Sequence, residues 1–321
     1  MKIDNKFRWM LLLIGGAVFL FFSAKWNVPV MAWIWLFCML LFIRTEKKIR
    51  SLIITCLIMM ALGAVKWYGS AGGSTIEEIG AGIALGFISC ISLIVDYIFY
   101  EKTGGFKATL IFPLVFAVEE FVMQLTPAAT VGSISATQTG NDPLIQTAAL
   151  FGSYGISFIV AWFTSVLMYI LENYKREPGK AKKAGIVYLV ILLTLFLYGG
   201  LRLAFSDYSA PNVKVALSTG PYVGDFTSGD DVTLSLDENI ASMQESVKTA
   251  TAGKADILLF CEEAFTVADH DETAIVEAAS QAARDNNIFV LIALEIEDED
   301  NSQNGMSDND EYLIDNHGEV V

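Results

Sequence analysis

Apolar residues fill the first two hundred positions in long blocks, near 9–24, 28–44, 51–69, 79–100, 108–125, 146–172 and 184–204. A helix needs about 17–25 such residues to cross a hydrocarbon layer of ~30 Å, so the pattern predicts about seven membrane spans. The first block follows a basic start and runs into Ser23-Ala24, which are signal-peptide features. Six further blocks favour a retained first helix. After residue 207 the pattern shortens and alternates. "VKVALS" (213–218), "DILLF" (256–260) and "IFVLIALEI" (288–296) read as strands. Helical spacing occupies 236–253 and 272–287, the latter with Ile275, Ala278, Ala279 and Ala282 on one face. "DEDNSQNGMSDND" (298–310) reads as a loop, and "EYLIDNHGEVV" begins a hairpin turning at His317-Gly318.

Two domains follow, a transmembrane helical domain over 1–207 and an α/β domain over 208–321. Near-continuous apolar strands separated by helices indicate a largely buried sheet. The fold class expected is a multi-pass α-helical membrane bundle followed by an α/β sandwich domain. That second domain holds only two helices and stops in mid-hairpin, so it reads as incomplete at its C-terminus.

Charge separates the same two parts. There are 17 Lys and Arg against 12 Asp and Glu up to Asp207, then 4 against 24. The basic residues cluster in alternate loops: Lys2, Lys6 and Arg8; Arg44 to Arg50; Lys102 and Lys107; Lys175 to Lys183. The positive-inside rule puts these loops and the N-terminus in the cytoplasm. Seven crossings then leave the α/β domain outside. So acidic a domain repels phosphate, which excludes nucleic acid as a partner.

The chemistry-bearing residues are few. Glu119 and Glu120 sit at the edge of a span and Asp96 within one. Intramembrane carboxylates mark either a functional site or a hydrogen bond between helices. The uncharged 126–145 segment is long enough to be a functional loop. Glu262 and Glu263 end the strand at 256–260, the edge at which open α/β sheets bind ligands. A carboxylate there can act as a general base; solvated loop acids are the plainer reading. Cys38, Cys56 and Cys90 fall inside apolar blocks, and Cys261 stands alone in the acidic domain, so no disulfide framework is implied. Cys261 adjoins Glu262, but neighbouring strand side chains point to opposite faces, so it reads as a buried, inert thiol. No metal-ligand spacing and no cofactor motif occur. Asp298-x-Asp300-x-Ser302 meets Gln303 where a calcium loop needs Gly.

"VKVALSTGP", "ADILLFCEEAF", "NNIFVLIALEIED" and "NDEYLIDNHGEVV" together resemble the nitrilase, or carbon–nitrogen hydrolase, superfamily. With "FPLVFAVEEFVMQ" (112–124), "PLIQTAALFGSYGISF" (143–158) and seven spans ahead, the chain resembles that superfamily's membrane branch, the apolipoprotein N-acyltransferases. The resemblance implies that Glu262 is a general base, and that Asn309, Asp315 and Gly318 match the later strand and turn. It places Glu263 and Glu120 beside substrate or the catalytic groups. Phe260-Cys261 stands where the family has Trp-Pro, and Met123 where it has Arg.

The resemblance further implies a bacterial inner-membrane enzyme acting as a monomer without a cofactor. It would move an acyl chain from a phospholipid to the N-terminal cysteine amine of a lipoprotein, through a thioester. The family's oxyanion Lys follows the Asp-x-x-Gly turn and its nucleophile Cys comes later still, so both are expected past Val321, with an eighth span. Two other readings stay open: a membrane-tethered amidase of the same superfamily, and a non-catalytic membrane protein with an acidic external binding domain.

Overall fold

The computed structural model describes residues 5–23, 26–69, 75–126, 132–206, 212–221, 224–225, 230–231, 234–297 and 307–321. Ala24, most of the predicted 298–310 loop, the calcium-like spacing within it and part of the 126–145 segment lie outside them. The chain divides into two compact units, Met1–Ser206 and Asp207–Val321.

The first unit is helical. It comprises α1 (Asn5–Phe19), a small hairpin of β1 (Phe22–Ser23) and β2 (Trp26–Asn27), α2 (Pro29–Glu46), α3 (Ile49–Trp67), α4 (Thr75–Ile88), α5 (Ile91–Thr103) and α6 (Ile111–Gln124). Two short turns follow, α7 (Ile134–Thr137) and α8 (Asp142–Ile145), then α9 (Ala148–Asn173) and α10 (Pro178–Ala204). Five of these stretches are long and apolar enough to cross a membrane: α2, α3, α4 with α5, α9 and α10. The two other predicted spans are shorter helices. The 9–24 block divides between α1, of 15 residues, and the hairpin. The 108–125 block divides between a 3-10 turn, Phe106–Leu110, and α6, of 14 residues.

Trp35, Met39, Phe42 and Phe112 are sealed in the bundle core, while Leu57, Leu189, Leu193 and Leu197 stand exposed. Apolar side chains on both faces are what a lipid solvent permits. Small residues set the closest helix contact. A Cβ on Gly63 would lie 2.2 Å from the Gly82 carbonyl oxygen, and one on Gly86 2.3 Å from that of Met59. The Gly82-x-x-x-Gly86 stripe thus lets α3 and α4 meet backbone to backbone.

The second unit is a mixed sheet with helices. Its elements are β3 (Val215–Ser218), β4 (Gly224–Asp225), β5 (Asp230–Asp231), α11 (Leu236–Ala252), β6 (Ile257–Phe260), β7 (Phe265–Ala268), α12 (Glu272–Asn286), β8 (Phe289–Glu297) and β9 (Ser307–Ile314). The main sheet runs β3-β6-β8-β7 in parallel, with β9 antiparallel to β8. A capping box starts α11: Ser235 Oγ accepts from the Glu238 N–H, and Glu238 Oε2 accepts from the Ser235 N–H at 2.9 Å. Met243, Val247, Ile275 and Ala279 close over Val290, Ile292 and Leu294 to form the core. The hairpin turn forms where the sequence places it. Asp315 Oδ1 accepts from the N–H groups of His317 and Glu319, both at 2.8 Å, and Gly318 takes φ 79°. These bonds, that from Glu319 first, hold the Asp315 carboxyl below the usual carboxylate range.

Candidate functional site

The sheet's register creates the site. On one side of β8, Leu259 of β6 pairs with Leu291, and Phe265 of β7 pairs with Leu294. The segment from 260 to 264 therefore spans a gap that β8 crosses in two residues, and it must leave the sheet. Glu263 makes the exit in the left-handed region, at φ 56°. Gly220, at φ 75°, lets the β3 exit close under this turn; a Cβ there would lie 2.4 Å from the Ala264 carbonyl oxygen. Glu262 and Glu263 stand exposed at the tip, while Ala264 and Phe265 bury themselves behind it.

Alternation along β8 buries Val290, Ile292 and Leu294 under the helices, which sends Glu295 to the opposite face. Asn309 of β9 lies directly across from Glu295. Its Nδ2 donates to Glu262 Oε1 at 2.9 Å. Thr266 Oγ1 donates to Glu295 Oε2 at 3.0 Å. Burial first, then the charges of Glu295 and Glu262, push the Glu263 carboxyl up from its ordinary range. The structure so brings Glu262, Glu263 and Asn309 together. It adds Thr266 and Glu295, which sequence reasoning missed. The missed signal was the lone acid within "IFVLIALEI", two residues after Ala293 on the same face.

Cys261 corrects the sequence reading in one respect: it is exposed rather than buried. Its thiol donates to the Thr219 carbonyl at 3.3 Å, toward β3 and not toward the Glu262 carboxylate. Among the described residues, no three His, Cys, Asp or Glu side chains converge as a metal site.

Glu120 belongs to the helical unit. Its Oε1 accepts from the Ile134 N–H at 2.7 Å, tying α6 to the turn that opens α7. The Oε2 atoms of Glu119 and Glu120 are buried with no hydrogen-bond partner among the described residues. Both residues line a cavity of about 60 Å³ that also receives Lys66, whose ammonium lies 3.5 Å from the centre of the Phe22 ring. Two carboxylates and a buried amine around a space of water size form a polar pocket inside an otherwise apolar bundle.

Asp96 behaves differently. Arg44 grips it through Nε at 3.0 Å and Nη2 at 2.7 Å, a two-pronged pair between α2 and α5. The guanidinium stacks 3.4 Å from the centre of the Tyr100 ring. Both Asp96 oxygens are engaged and the residue is fully buried, so the contact between helices is its role.

Residues 15–166 match the family described as the apolipoprotein N-acyltransferase N-terminal domain. Over those residues, just under half of its length, the chain is similar to that family. Its relative in Geobacter metallireducens, named apolipoprotein N-acyltransferase, is 27% identical over 245 residues. That alignment covers 71% of this chain and 43% of the relative, so the chain spans less than half of that protein's length.

Proposed function

We propose that this chain is the membrane and leading catalytic portion of an N-acyltransferase, with Glu262 as general base. The observation that carries the reading is the Asn309–Glu262 contact. It holds one carboxylate oxygen by a neutral donor beyond the end of a parallel strand, and among the described residues the other accepts no hydrogen bond. Such a group is aimed and available, which proton transfer requires. In the proposed reaction Glu262 takes the proton of the family's nucleophile thiol as that thiol attacks a phospholipid ester. The lysophospholipid alcohol leaves with a proton, and the acyl group stays on sulfur as a thioester. The amine of a lipoprotein's N-terminal cysteine then attacks the thioester and regenerates the thiol.

The bundle unit is proposed to sit in a bacterial inner membrane with seven crossings, the N-terminus in the cytoplasm and the α/β unit outside. Five long apolar helices support the membrane placement and the basic alternate loops the orientation; the seven crossings further require the shorter α1 and α6 to span. Glu263 tunes Glu262 through charge, and Glu120 serves the substrate side of the bundle pocket. The test is acyl transfer from a labelled phospholipid to a diacylglyceryl-cysteine peptide by the protein purified from its natural source. Transfer lost in Glu262→Gln, with membrane insertion intact, supports the base. Thioester formation retained in that variant contradicts it.

A further inference from the structure

At one end of the bundle, the ends of α5, α9 and α10 enclose a cavity of about 760 Å³. That is the size of a site for a small molecule or a headgroup, which spans about 300–1,000 Å³. Arg176, Lys180 and Lys183 line it, as do three carboxylates. Each carboxylate is already engaged. Glu101 accepts from Lys47, Glu172 accepts from the Tyr100 hydroxyl at 2.7 Å, and Glu177 pairs with Lys180 at 2.8 Å. Arg176 and Lys183 have no ion-pair partner among the described residues; Lys47 and Lys180 answer Glu101 and Glu177, while the Tyr100 hydroxyl carries no charge to answer Glu172, so the cavity keeps a surplus of one positive charge. An anion is the ligand that this arrangement fits.

The wall tells which anion. Phe106 and Val187 make the cavity partly apolar. From Val187 onward, α10 shows an exposed apolar face through Leu189, Val190 and Leu193. A free phosphate gains nothing from such a wall, whereas a phospholipid can seat its headgroup among the cations and lay its acyl chains along α10. The cavity also opens beside the basic Lys175–Lys183 segment, where headgroups of that leaflet lie.

We propose that this cavity binds the phosphate headgroup of an anionic phospholipid from the leaflet on the basic side of the bundle. Arg176 offers a two-pronged donor fork and Lys183 a point charge. The site belongs to the helical unit alone and does not depend on the acyl-transfer reading.

The experiment uses the full protein in phosphatidylcholine nanodiscs doped with phosphatidylglycerol, released and weighed by native mass spectrometry. The wild type is expected to retain phosphatidylglycerol in preference to phosphatidylcholine. Arg176→Gln with Lys183→Gln should lower that preference about tenfold or more, given the usual worth of a lysine or arginine near an anionic surface. Exchanging the two cations, Arg176→Lys with Lys183→Arg, should keep most of it. Lys182→Gln, exposed on the same helix but outside the cavity, should change nothing. Undiminished preference in the double Gln variant overturns the proposal. So does an equal loss in Lys182→Gln, which would mean diffuse surface charge, or displacement of the lipid by inorganic phosphate, which would mean a free-anion site.

Discussion

Asp96 and Glu262 are both carboxylates set against apolar structure, and they are held in opposite ways. Asp96 is sealed in the bundle with both oxygens taken by one guanidinium. Glu262 stands at an exposed turn, with one oxygen held by an amide. A fully answered charge is committed to packing, because any movement strands its partner in a low-dielectric interior. A half-answered one is positioned and still has a lone pair to use. Glu119 and Glu120 fall between the two: half-buried, each with one buried oxygen that has no hydrogen-bond partner among the described residues, beside a small cavity.

That contrast can be broken by exchanging consequences. Glu262→Gln should lower acyl transfer by about 10²–10⁴-fold, the usual worth of a general base, while unfolding curves stay where they are. Asp96→Asn should do the reverse. It leaves the buried Arg44 with only the more distant Glu172, at 4.0 Å, as counter-charge, at a cost of up to about 3–5 kcal/mol, read as a lower unfolding midpoint of the purified membrane protein. Replacing both Arg44 and Asp96 by apolar residues of similar volume should recover much of that loss.

Gly220→Ala tests whether the turn is built to aim Glu262. The new Cβ would meet the Ala264 carbonyl at a φ that side chains rarely adopt. We expect a loss of about 1–3 kcal/mol in stability, together with a drop in turnover that exceeds any change in substrate affinity.

The smallest effect concerns Glu263. Its folded-state pKa lies above the unfolded value, so ionisation costs the folded state. Stability should therefore decline as pH rises through and above about 4.5, and Glu263→Gln should remove that slope. Parallel unfolding curves across this range in both proteins would refute the assignment of burial and like charge as the cause.

Much of this was readable in the chain because the signals are local. The turn was legible at His317-Gly318 and α11 in its helical spacing over 236–253, while the Asp315 cap and the Ser235–Glu238 capping box that hold them emerge only in the structure. The strand leading to Glu262 shows in four apolar residues, Ile257 to Phe260, followed by Cys261 and two acids. What stayed hidden depends on pairing at a distance. β7 is a short strand after a charged turn, and only the β8 register shows that β6 and β7 share one edge. Arg44 and Asp96 are 52 positions apart, so neither reveals the other. Two of the expected spans are shorter because a 3-10 turn and a hairpin take part of their apolar blocks. Hydropathy counts residues and cannot see where the helix hydrogen bonds stop.

The most direct test of the account is a single-turnover reaction of Glu262→Gln with a phospholipid labelled in its acyl chain, with the unfolding midpoint measured on the same sample. The account predicts an unchanged midpoint and no labelled acyl-enzyme. An acyl-enzyme formed at the wild-type rate would show that Glu262 is an ordinary surface acid and that the proton is taken elsewhere.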